Sequence, residues 1–106
     1  MESNKDVFNL EEAVNELNHM DEITLMDTIM FMDCPDYRAR FIAEYMQTKI
    51  RYAALHKMII KHEAGTLEFK PACDISILED QAYHMGNYLK QLEIRAEIEE
   101  IELPRM

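Results

Sequence analysis

The longest apolar pattern in the chain predicts one helix over residues 35–64. Pro35 suits the first helical position, and Gly65 suits the left-handed residue just after a helix end. A first face recurs at steps of three or four, the period of an α-helix, through Tyr37, Phe41, Tyr45, Thr48, Tyr52, Leu55 and Ile59. A second apolar face needs a third element or another chain to cover it, and consists of Ile42, Met46, Ile50, Ala53 and Ile60.

A second long helix is predicted over residues 75–103, with Asp74 or Ser76 as its cap. Its apolar stripe consists of Leu78, Ala82, Met85, Leu89, Leu92 and Ala96. Gly86 in the middle marks either a close helix crossing or a weak position that is tolerated. The loop of residues 65–74 is short, so the two long helices should form an antiparallel hairpin.

The acidic segment of residues 1–34 predicts two short helices after a frayed start. Asn9 should cap the first, over Leu10–His19, and Thr24 with Asp27 should start the second, within residues 22–32. The second carries a wide apolar stripe that consists of Leu25, Met26, Ile29, Met30 and Met32. Such a stripe either packs over the hairpin or a second subunit, or forms a partner-binding patch, because methionine makes an adaptable surface.

Composition supports an all-α fold in a single domain of 106 residues, because the chain has only 2 Gly and 3 Pro but 9 Met. Two apolar faces on one helix further predict self-association as a dimer or higher oligomer. No run of about 18 apolar residues is present, so we expect no membrane-spanning segment. The polar, acidic start of the chain is unlike a secretion signal or a transit peptide.

The net charge of −10 is distributed unevenly along the chain. Residues 1–36 carry ten acids against one base, residues 37–72 carry seven bases against three acids, and residues 73–106 carry eight acids against three bases. The predicted hairpin therefore has a basic first helix, with acidic segments before and after it. The overall charge argues against binding of bulk DNA, because the phosphates would be repelled.

The candidate reactive side chains form no recognisable catalytic or metal-binding motif. Cys34 and Cys73 lie 39 residues apart without a CxxC pair, and His56 and His62 lack the spacing of three or four that metal ligands on a helix use. Glycine-rich phosphate loops are excluded because only Gly65 and Gly86 are present. We therefore predict no enzyme activity, no catalytic residue, no metal and no cofactor.

Two stretches resemble small helical-hairpin proteins of tailed phages and prophages. They are KIRYAALHKMIIKHEAGTLEF and ILEDQAYHMGNYLKQLEIRAEIEEIEL. The likeness covers roughly residues 35–103 and includes Glu63-Ala64-Gly65, Met85-Gly86 and Arg95-Ala96-Glu97. Members of that group are mostly of unknown activity, so the resemblance implies a phage origin and little chemistry. We expect the protein to lie in the cytoplasm of the host cell.

The leading functional hypothesis is a non-catalytic phage protein that binds and inhibits a host defence protein, as an acidic mimic of nucleic acid. The carboxylates predicted to contact that basic partner are Glu11, Glu12, Glu16, Asp21, Glu22 and Asp27, together with the acids near the C-terminus.

Two alternatives remain open. The first is an oligomeric sponge that sequesters a nucleotide immune signal, as anti-CBASS or anti-Thoeris proteins do. Its predicted nucleotide-binding residues combine cations for phosphates with rings for bases, and are Tyr37, Arg38, Tyr45, Arg51, Tyr52, Lys57 and Lys61. The second alternative is a structural or assembly protein of the phage.

Overall fold

The computed structural model describes residues 8–106, and within that range the secondary structure is entirely helical. Helix α1 spans Leu10–Asn18, and a 3-10 helix over Leu25–Thr28 continues directly into α2, Ile29–Met32. The two long helices are α3, Tyr37–Ala64, and α4, Ile75–Glu99, which pack on each other as a hairpin. The predicted all-α hairpin with short N-terminal helices is therefore confirmed.

Helix α3 begins two residues later than the sequence pattern suggested. The Asp36 carboxylate accepts a hydrogen bond of 2.9 Å from the backbone N–H of Arg38, so Asp36 is the N-cap and Pro35 lies outside the helix. The predicted end is confirmed, because Gly65 has φ of 77° and Thr66 donates its N–H to the Lys61 carbonyl. This is the left-handed termination for which glycine is suited.

Helix α4 is capped by Asp74, whose carboxylate accepts from the Ser76 N–H at 3.0 Å. It ends at Glu99, four residues before the predicted end at residue 103. Glu100 adopts a left-handed conformation with φ of 56°, which is uncommon for a residue with a side chain. The turn directs Ile101 into the core, where it is 6% exposed, so burial of one isoleucine ends the helix early.

We divide the hairpin into a proximal half (residues 37–46 with 89–99) and a distal half (residues 47–88, which include the loop). The proximal half holds the core, because the N-terminal helices cover the face of α3 that points away from α4. Phe31 packs there at 1% exposure. The other core side chains of α3 and α4 are Ala39, Phe41, Ile42, Ala43, Tyr45, Met46, Leu89, Leu92 and Ala96.

The segment that carries the methionine stripe packs on α3, and Gln47 contacts the Met32 sulfur, but the five side chains of the stripe stay 40% to 73% exposed. Cover by a second subunit and a partner-binding patch therefore stay predictions. Thr28 and Phe31 are the residues that face α3, three positions apart in a segment that has 3-10 geometry at its start. The Thr28 hydroxyl donates to the Leu25 carbonyl at 2.7 Å, and the Gln47 amide donates to that hydroxyl at 3.0 Å. These bonds allow Thr28 to be buried, and they turn Met26 and Met30 towards solvent.

The molecule is elongated, with extents of 58 × 28 × 22 Å. Its radius of gyration is 16.7 Å, compared with about 13 Å for a compact domain of 100 residues. None of the helices within residues 8–106 offers a stretch that is both long and apolar enough to cross a bilayer. Self-association stays a prediction.

Candidate functional site

The distal half carries an open groove on the face of α3 that points away from α4. We call it the distal groove, and its volume is about 350 Å³. Helix α3 continues here beyond the N-terminal helices, and the connection after α1 and the C-terminal residues approach it at Ala53 and Ala54. The hairpin loop closes one side. The lining residues are Ala54, Lys57, Met58, Lys61, Leu67 and Phe69.

The distal groove combines an exposed aromatic ring with two cations. Phe69 is 59% exposed, and Lys57 and Lys61 lie one helical turn apart on the same face of α3. The ion pairs among residues 8–106 include neither lysine, nor do they include Arg51. Within residues 8–106, Lys57 and Lys61 therefore form no ion pair that an anion would have to break when it enters the groove.

The seven residues predicted for nucleotide binding do not form one site in the monomer. Tyr37 and Arg38 lie at the start of α3, about 35 Å along the helix axis from Lys61. Tyr45 belongs to the core, and its hydroxyl donates to Glu93 at 2.8 Å. Tyr52 is half-buried beside Gly86 and stacks on the His56 ring at 5.8 Å. Of the seven, only Lys57 and Lys61 line the distal groove.

The predicted partner-binding carboxylates lie on α1, on the 3-10 helix and, for Asp21 and Glu22, in the connection between them. Five of them are exposed, whereas Asp27 is half-buried and accepts from the Thr24 N–H at 2.7 Å as part of a capping box. The fold also brings the C-terminal acids to α1, because Glu11, Glu100 and Glu102 line one small cavity around Arg38. We call residues 8–46 with 89–106 the acidic end. It contains fourteen acids and five bases, a balance of −9.

Hydrogen bonds at the acidic end shift several pKa values. Arg95 donates to Glu99 at 2.8 Å, and this bond lowers the pKa of the Glu99 carboxyl. Tyr37 donates to the same carboxylate, which raises the pKa of the tyrosine hydroxyl. The bond from the Arg38 side chain, together with its backbone N–H, lowers the pKa of Asp36. Because the pKa values of the Asp36 and Glu99 carboxyls are lowered, both are ionised at neutral pH. The raised pKa of Tyr37 keeps its hydroxyl protonated, so it can donate to Glu99.

The distal half is electrically different from the acidic end. Residues 47–88 hold five acids and five bases, so their formal charge cancels. The bases cluster on α3, whereas Glu79 and Asp80 lie on the first turns of α4. An anionic ligand is consequently repelled at the acidic end and meets its best electrostatic environment beside α3 in the distal half.

The cysteines and histidines form no metal-binding cluster within residues 8–106. Cys34 is buried and Cys73 is exposed, and both are free thiols. Across residues 8–106 no three His, Cys, Asp or Glu side chains converge on a point that would suit a metal ion. The absence of metal and of catalysis stays a prediction.

Sequence reasoning missed Phe69 as a candidate ligand-binding ring. In the sequence, Leu67 and Phe69 alternate with polar neighbours, which predicts a short extended piece that packs back on the end of the hairpin. In the structure the loop contains turns and bends and leaves Phe69 exposed. The sequence does contain a signal for this role. Phe69 is a large aromatic residue between two charged neighbours, in the loop that follows the helix with Lys57 and Lys61.

Comparison with known proteins identifies one family. The Sequestin family model matches residues 35–98, which comprise α3, the loop and nearly all of α4. No curated protein and no solved structure shows a significant similarity to the chain. The matched stretch contains the whole distal groove and excludes α1, the 3-10 helix and α2. It also coincides closely with the stretch on which the resemblance to hairpin proteins rests. The chain belongs to the Sequestin family.

Proposed function

We propose that this protein is a non-catalytic phage or prophage protein that sequesters a host nucleotide immune signal, and that the ligand enters the distal groove. One observation carries the proposal: an exposed phenylalanine ring and two cations without ion pairs among residues 8–106 line a single groove. That groove lies entirely within the stretch that defines the family. The family name itself denotes sequestration.

A nucleotide is the ligand class whose chemistry matches the groove. Lys57 and Lys61 supply charge-assisted hydrogen bonds for phosphate oxygens, and the Phe69 ring supplies a face for base stacking. Met58 and Leu67 provide apolar contacts around the ring. The groove contains no histidine, cysteine or carboxylate, so it supplies no general base or nucleophile for turnover of the ligand.

Self-association is part of this proposal, because a shallow groove on one copy exposes much of its ligand to water. The outer face of α4 offers further apolar surface, including Tyr83 at 69% and Ile98 at 74% exposure. These residues lie opposite the buried stripe of α4, where no described element covers them. Sedimentation at tens of micromolar tests this part of the proposal, and a monomer at that concentration would contradict it.

The direct test is calorimetric titration with cyclic mononucleotides, cyclic and linear dinucleotides and ADP-ribose derivatives. We expect one class to bind and to be recovered chemically unchanged after the protein is heated. If no nucleotide of the panel binds, the proposal is wrong. Recovery of an altered nucleotide would instead show an enzyme.

Variants locate the ligand. Phe69→Ala should lower the affinity for the nucleotide about tenfold or more, since stacking contributes roughly 1–3 kcal/mol per base. The double charge reversal Lys57→Glu with Lys61→Glu should abolish binding. Lys90→Glu is the matched control, because Lys90 is an exposed cation on α4 outside the groove. The affinity of this variant for the nucleotide should stay within about twofold of that of the parent chain.

A second candidate function follows from the acidic end. We propose that its carboxylates bind a basic host protein through electrostatic steering, because the fold gathers α1 and the C-terminal acids into one region with a balance of −9. Affinity for such a partner should fall steeply from low to physiological salt. A partner whose binding is insensitive to salt would refute the steering mechanism.

A further inference from the structure

A second groove lies at the acidic end, between α1 and the segment formed by the 3-10 helix and α2. We call it the methionine groove, and its volume is about 290 Å³. Met20, Met26, Ile29 and Met30 line it, and Phe31 forms its buried floor. Met26 is 73% exposed and Met30 is 62% exposed. Two short helices with apolar side chains between them are the arrangement that receives an amphipathic helix from a partner.

The edge of the methionine groove is acidic. Glu16 and Asp27 belong to its lining, and Asp21 and Glu22 follow in the connection between the two helical segments. No lysine or arginine lines the groove. An occupant must therefore bring apolar side chains for the floor and positive charge for the edge.

We infer that the methionine groove binds a basic amphipathic helix of a partner protein. This inference is independent of nucleotide sequestration and rests on the second candidate function, whose partner it specifies. Methionine side chains adapt to differently shaped apolar partners, which suits a groove that selects for amphipathicity and charge. Contact between the methionine grooves of two copies is disfavoured, because the two acidic ends repel each other. A second copy that offers the basic distal part of α3 is an outcome that the test below detects.

The groove also lies outside the stretch that the family model covers. The hairpin of residues 35–98 and the N-terminal helices therefore have separable roles here. A ligand of the distal groove and a helix in the methionine groove contact different surfaces, so both can be bound at once.

The test uses a synthetic helix of leucine and lysine that contains one tryptophan. The chain has no tryptophan, so tryptophan emission reports the peptide alone. We expect micromolar binding with a shift of emission to shorter wavelength, and at least tenfold weaker binding to Met30→Glu. Met30 is exposed, so the variant should fold, which circular dichroism checks. Ile77→Glu is the matched control, because Ile77 is an exposed apolar residue on α4 outside the methionine groove, and this variant should bind the peptide within about twofold of the parent chain.

The outcomes separate the groove from the acidic surface around it. Equal binding of the peptide to Met30→Glu overturns the inference, and if Glu16→Gln with Asp21→Asn then loses binding, the second candidate function survives alone. Equal binding of a leucine and glutamate peptide with the same apolar pattern also overturns it. A change in the sedimenting mass of the free chain on Met30→Glu would show that a second copy occupies the groove, which overturns it too.

Discussion

The proximal and distal halves of the hairpin differ in how much of their apolar surface is covered. Both halves use the same two helices and the same helical spacing of apolar residues. In the proximal half Ile42 and Met46 are fully buried, whereas in the distal half Ile59 alone falls below a tenth of exposure among the described residues. The N-terminal helices cover the back of α3 only as far as its middle.

The comparison shows that coverage, more than pattern, separates buried core from exposed apolar surface in this chain. The apolar face of α3 continues through Ile50 and Ala54 into the distal groove, where Lys57 and Lys61 join it. Apolar surface beside cations without ion pairs in the described chain adds little to folding stability, but it is available to a ligand. The buried core therefore supplies most of the folding stability from the proximal half, and our proposed nucleotide site lies in the distal half.

The largest expected effect is on the stability of the proximal half. Phe31→Ala should lower the free energy of unfolding by about 3–5 kcal/mol, because it leaves a cavity beneath the N-terminal helices. Ile60→Ala, at a half-exposed position of the distal half, should cost no more than about 1 kcal/mol. Urea denaturation followed by circular dichroism measures both, and equal losses would contradict the division into two halves.

The two glycines sharpen the description of the distal half. Gly65→Ala should destabilise by about 1 kcal/mol, because φ of 77° is strained for alanine. Gly86→Ala should be neutral or should stabilise by up to about 1 kcal/mol, since a new Cβ would meet the Tyr52 ring at 3.5 Å, an ordinary contact. A large loss at Gly86 would show that the helices cross more tightly there than the structure indicates.

The smallest expected effect is a dependence of stability on alkaline pH. Burial, and then the hydrogen bond to Glu93, raise the pKa of Tyr45 above its ordinary value of 10.0. The unfolded chain therefore releases this proton first, so the stabilisation is complete below about pH 10 and is lost as the pH rises further. Tyr45→Phe should show a shallower alkaline loss of unfolding free energy than the parent chain. Parallel curves would contradict this assignment.

The sequence predicted the helices well, because the apolar spacing, Gly65 and Asp74 are local signals. It predicted less well which face of a short helix is buried. Thr28 is buried and Met26 is exposed because Gln47, nineteen positions after Thr28, satisfies the threonine hydroxyl. This hydrogen bond joins two residues that are far apart in the chain, so the spacing of apolar residues in the short helix does not predict it.

The sequence predicted only part of the candidate site, because the exposure of some of its residues also depends on contacts between distant parts of the chain. Lys57 and Lys61 were recognisable from charge and spacing. Tyr45 was not separable from a ligand-binding tyrosine, because its burial depends on how α4 packs. Phe69 was overlooked because a loop conformation determines its exposure, and the sequence pattern favoured an extended segment.

Amide hydrogen exchange, with and without the bound member of the nucleotide panel, tests the central claim most directly. The account predicts slower exchange on binding in residues 50–70, which include the distal groove, and unchanged exchange in residues 10–32. Protection confined to residues 10–32, or no protection anywhere in residues 50–70 while the nucleotide is bound, would contradict it.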